Sequence, residues 1–222
     1  MQVGEINTGV PSSVKIADRK ELSEFVRTHL GHRLTAMVAP VCIPGPFWHG
    51  RNDAYRAAKE GSYSMLRMFI EFLGVKSKRR EAAAGIPSPP PTLCQPCDEK
   101  SDDILIDAFS HFGAQKLKPS DFGDDEGTIA RMHRALCKIN AHFTYDQSKP
   151  NLDDYDRIAS PHDVVEWGRV VDIVVQKLDK HFYAVVGEDI VVHSDLAALF
   201  IDHFKTRLGL QSAVRGDGLG RP

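Results

Sequence analysis

Four stretches of this chain repeat apolar residues at steps of three and four, and prolines and glycines separate them. That spacing puts side chains on one face of an α-helix. The first stretch runs from about Val14 to Ala39 through Leu22, Phe25, Val26, Leu30, Leu34, Met37 and Val38. Pro40, Pro44 and Pro46 are expected to end it, because proline cannot donate to the helical ladder. The second runs from Asn52, a suitable N-cap, to Gly74, a suitable stop. It turns Tyr55, Ala58, Ser62, Met65, Phe69, Phe72 and Leu73 inward. The third carries Ile129, Met132, Leu136, Ile139 and Phe143. The fourth begins at Ser160-Pro161, an N-cap followed by proline at the first helical position. It reaches about Val186, with Trp167, Val171, Val174, Leu178, Phe182 and Val185 on one face.

Two shorter helices complete the pattern. Ser101 opens one that buries Ile104, Leu105, Ala108, Phe109 and Phe112, and Ser194 opens another through about Leu208. The expected fold is therefore all-α, a helical bundle of about six helices, four of them long. Strand is expected at most over Asp189–Val192. Residues 1–12 read as a flexible start and 13–209 as one helical-bundle domain, with 210–222 as a flexible tail. Residues 76–100 hold five of the thirteen prolines and show no helical or strand period, so they read as an irregular Pro-rich loop.

A chain of 222 residues can bury a sizeable core without a disulfide or metal staple. The net charge of −2 supplies no global attraction to nucleic acid or anionic lipid. The first residues lack the basic start and apolar run of a secretory signal. No apolar stretch approaches the ~20 residues of a membrane span. Four cysteines in such a chain read as reduced thiols, so the expected location is cytoplasmic, with no membrane partner.

Several short motifs raise chemical possibilities. Cys94 and Cys97, in "CQPC", have metal-ligand spacing, but a zinc site wants two such pairs or a histidine pair nearby in sequence. They read as loop thiols, and no metal or cofactor is expected. The basic run "KSKRR" offers Lys76, Lys78, Arg79 and Arg80 as phosphate contacts. Its plainer reading is a solvated helix C-terminus, where cations suit the dipole. "DFG" lacks the other kinase elements, and "GDGLG" has no helix after it to receive a phosphate. Asp153, Asp154 and Asp156 lack the ligand alternation and glycine of a calcium loop.

The third helix, "RMHRALCKINAHFTYD", sets a polar row of Arg131, Arg134, Lys138, Asn140 and His142 beside its apolar stripe. A histidine near arginines can serve as general acid or base while the cations hold a phosphate. The plainer reading is a polar helix face paired with neighbouring helices. On that reading His142 interacts with the helix C-terminal carbonyls and Asn140 bonds another helix.

"RNDAYRAAKEGSYSMLRMFIEFLG" followed by "RMHRALCKINAHFTYD" resembles a diffuse group of bacterial helical proteins similar to the HEPN superfamily. The likeness covers about residues 50–185. It implies a helical bundle, often dimeric, in a family that includes metal-independent RNases of toxin–antitoxin and phage-defence systems beside members without catalysis. The family's catalytic motif is an arginine followed, after four to six residues, by a histidine. Here seven residues separate Arg134 from His142, and the position five before His142 is Cys137. Arg27 with His32 and Arg157 with His162 match the spacing at a rate that chance supplies. The expectation is a HEPN-like, non-catalytic binding or assembly module, working as a homodimer or with a protein partner. The alternative is a metal-independent endoribonuclease acting on RNA through Arg131, Arg134 and His142.

Overall fold

The computed structural model describes residues 16, 18–42, 49–78, 90–96, 104–141 and 161–190. These are mostly helical, and their only strands form a two-stranded antiparallel ladder of two residues each. Residues 1–12, 210–222 and the expected Ser194–Leu208 helix lie outside the described residues.

Helix α1 is a rod in three segments: Arg19–Glu24, a π-helical turn Phe25–Leu30, and Gly31–Cys42. It starts later than the periodicity suggests because Asp18 caps it, its carboxylate accepting the Glu21 N–H at 2.9 Å. It also runs two residues past Pro40. Proline's fixed φ is compatible with a helix, and the disturbance it causes falls in the helix's last turn. The π turn explains the spacing of the apolar residues. Leu22, Val26, Leu30 and Leu34, all buried, repeat every four residues, and a pure α-helix would rotate that series off its face. One wider turn restores the alignment.

Helix α2 spans Asn52–Phe72 and packs against α1, α3 (Glu126–Ala141) and the helix that begins at Pro161, α4. Asn52 is its first residue rather than its cap, which falls on Arg51. Ser62, Phe69, Phe72 and Leu73 are buried as the period requires, while Tyr55, Ala58 and Met65 are half-buried. The Ser62 hydroxyl donates to the Met37 carbonyl at 2.6 Å, so this buried polar group is satisfied and ties α2 to α1.

Gly74 ends α2 at φ +87°. A Cβ there would lie 2.7 Å from Lys116 Cγ, against the chain whose Leu117 N–H donates to Leu73 O at 2.9 Å. Gly74→Ala therefore faces both a left-handed backbone and a clash. It should cost more than about 1 kcal/mol, measurable by urea denaturation; a neutral result would place the chain reversal elsewhere.

After this turn the chain forms strand β1, Lys76–Ser77, paired with β2, Leu93–Cys94. The stretch 76–100, expected to be irregular throughout, thus holds a short antiparallel ladder at 76–77 and 93–94. A ladder this short carries no readable alternation. The expected strand at Asp189–Val192 is not formed over its described residues, 189 and 190. The short helix is a 3-10 stretch, Ile106–Phe112, that begins after Ile104 and Leu105; Ser101 lies outside the described residues. A second 3-10 stretch, Pro119–Asp125, leads into α3.

Helix α4 comprises Pro161–Leu178, a π turn Asp179–Tyr183, and Ala184–Val186. Its expected inward row holds through Phe182 but not at Val185, which is 42% exposed, while Val186 is fully buried. The π turn inserts one extra residue, so the inward position slips by one. Arg19 Nη1 donates to the Val186 carbonyl and Ser23 Oγ to Glu188 Oε1, joining the end of α4 to the start of α1. No described helix is long and apolar enough to cross a membrane.

Candidate functional site

Among the described residues, the most connected polar group in the core is His133 of α3. It lies four residues after Ile129 and three before Leu136, both fully buried, so its helical phase carries it inward, and it is 2% exposed. Its Nε2 is 3.2 Å from Glu71 Oε1, at the last turn of α2. The same carboxylate oxygen accepts from Arg67 Nε at 2.9 Å, one helical turn earlier. On its other side, His133 Nδ1 is 3.1 Å from the Ser77 backbone nitrogen and 3.0 Å from Ser77 Oγ. The turn at Gly74 and the β1–β2 ladder put Ser77 there.

These contacts assign the tautomer. A backbone N–H only donates, so Nδ1 is the acceptor, and the ring proton sits on Nε2, where it donates to Glu71. The chain Arg67–Glu71–His133–Ser77 thus links α2, α3 and β1. Cys137, one turn further along α3, places Sγ 3.7 Å from Nδ1 and 3.9 Å from Nε2. Near-equal distances put the sulfur beside the ring, off the axis of either nitrogen.

Burial works against the Glu71 carboxylate, but the bonds from His133 and Arg67 outweigh it and hold its pKa below the usual range. Burial also works against an imidazolium at His133, yet the contacts with Cys137 and Glu71 leave its pKa above the ordinary value. The Ser77 N–H pulls the other way, since a doubly protonated ring must give up that bond. Ser77 Oγ, His133 and Glu71 have the outline of a nucleophile–base–acid relay. The Ser77 N–H already occupies the lone pair that would activate the hydroxyl. The arrangement joins elements of the fold; as it stands it does not activate a nucleophile.

The residues expected from the sequence fall elsewhere. Arg131 is exposed and pairs with Glu166 of α4 at 3.2 Å and with Thr128 Oγ1 at 3.1 Å. Arg134 is half-buried on α3. His142 and the side chains of Lys138 and Asn140 lie outside the described residues, so the polar row is seen only at its first half. Of the basic run, Lys76 is half-buried in β1 and Lys78 exposed, its N–H donating to Thr92 O at 2.8 Å; Arg79 and Arg80 lie outside the described residues. The helix-terminus reading of that run is corrected: α2 ends at Phe72, and its last turn holds no basic residue. Cys94 is a half-buried free thiol on β2, and Cys97 lies outside the described residues. Cys94 pairs with Lys76, on the ribbon face opposite Ser77 and Leu93.

Sequence reading missed the set Glu71, Ser77, His133 and Cys137. The signal for His133 was present, a polar residue at an apolar helical phase. For Ser77 no signal existed, because its position depends on the ladder. Compared with known protein families, curated proteins and solved structures, the chain matches none.

Proposed function

We propose that this chain is a non-catalytic binding or assembly module, a cytoplasmic HEPN-like bundle of about six helices, four of them long, that works as a homodimer or on a protein partner. The observation that carries the reading is how α3 uses its reactive side chains. Arg131 is paired with Glu166, and His133 is held between Glu71 and Ser77. Both serve contacts within the chain, as expected of a scaffold helix and not of a phosphate-binding face.

The test is incubation of the purified protein with single-stranded and structured RNA in excess EDTA, with its mass measured in solution. The expected result is intact RNA and a species of twice the monomer mass, or a monomer that gains mass with a protein partner. RNA cleavage that His142→Ala abolishes without changing the melting temperature would overturn the reading. His142 would then be the general base toward a ribose 2′-hydroxyl, with Arg134 or Arg131 steadying the phosphate.

A further inference from the structure

We infer that Glu71, His133 and Cys137 form a binding site for one divalent cation of the zinc class, clipping α2 to α3. The three offer a carboxylate, an imidazole and a thiol, the donor types such ions take. Their ligand atoms lie within 4.8 Å of one another. Around a tetrahedral ion with bonds of about 2.0–2.1 Å to N and O and about 2.3 Å to S, neighbouring N and O stand about 3.3 Å apart and N and S about 3.5 Å. Glu71 Oε1 and His133 Nε2 are 3.2 Å apart, and Cys137 Sγ is 3.9 Å from Nε2. His133 and Cys137 are four apart on one helix, the offset at which two side chains reach a common point.

Binding changes three things, each within reach of the groups present. The ion takes the place of the Nε2 proton, so the ring carries its hydrogen on Nδ1 and donates it to Ser77 Oγ, 3.0 Å away. That is the outer contact that orients a ligating imidazole, and it replaces the Ser77 N–H bond. Cys137 turns about its Cα–Cβ bond to bring the sulfur from beside the ring to the ion, and its proton leaves to solvent. Arg67, with a side chain 34% exposed, swings from Glu71 toward water. Water, reaching the site past the Glu71 side chain, which is 36% exposed, would fill the fourth coordination position. The site uses neither Cys94 nor Cys97 and stands whether or not the chain is a module of the kind proposed above.

The experiment titrates the full chain, stripped with a chelator and reduced, with Co(II), followed by displacement with Zn(II). The expected result is one ion per chain, a thiolate-to-cobalt charge-transfer band, loss of that band on adding zinc, and a higher melting temperature with zinc. Cys137→Ser should remove the band, and Glu71→Gln should weaken zinc binding by at least about tenfold. Cys94→Ser should leave both unchanged. Circular dichroism of each variant verifies that it is folded, and the two conservative variants on separate helices guard against one that is not. The inference is overturned if the wild-type chain shows no charge-transfer band, or if the band survives Cys137→Ser and disappears in Cys94→Ser.

Discussion

Phe109→Ala is expected to lower stability by about 3–5 kcal/mol, the scale for truncating a buried aromatic. Phe109 is fully buried in the 3-10 stretch before α3, and its ring centroid lies 5.1 Å from Phe25, 6.1 Å from Phe72 and 5.0 Å from Phe182. Those three rings come from α1, α2 and the π turn of α4. One side chain therefore joins three helices, and alanine would leave a cavity between them. Edge-on ring contacts add to the loss. Urea denaturation monitored by far-ultraviolet circular dichroism measures it. A cost below about 1 kcal/mol would mean that the helices do not meet at this residue.

The second large effect is expected at His133. His133→Ala, studied metal-free, should cost about 2–4 kcal/mol, combining a cavity with polar groups left without partners. The Ser77 N–H loses its acceptor and Glu71 one of its donors. Cys137→Ser under the same conditions should cost less than His133→Ala, because the sulfur's contacts with the ring are long, at 3.7 and 3.9 Å. A double-mutant cycle between Glu71→Ala and His133→Ala isolates their coupling. A coupling near zero would show that the Nε2 contact does not stabilise the fold, even if His133→Ala is costly through its volume.

How much of this was readable beforehand differs from element to element. The inward faces of α1 and α2 follow from spacing alone, and so does the start of α4 at Pro161, where proline supplies a helical φ without needing a donor. Gly74 was legible as a stop because positive φ favours glycine. Val185 was misplaced because a π turn changes the helical phase, and the residues that form such a turn carry no composition of their own. His133 was legible as an anomaly, a titratable residue in an apolar phase, but not as a member of a network.

The helical class and the C-terminal stop of α2 were determined by the sequence, since periodicity and glycine act within a few residues of themselves. Tertiary structure alone decided that Glu71, Ser77, His133 and Cys137 meet. Glu71 and His133 are 62 positions apart, and Ser77 and His133 are 56. No local preference links such positions. They meet because α2 and α3 bury their apolar faces together and because the ladder of β1 with β2 turns Ser77 toward α3. Burial then makes each polar group costly unless the others satisfy it. The sequence holds each of these residues, but only the packing makes them a site.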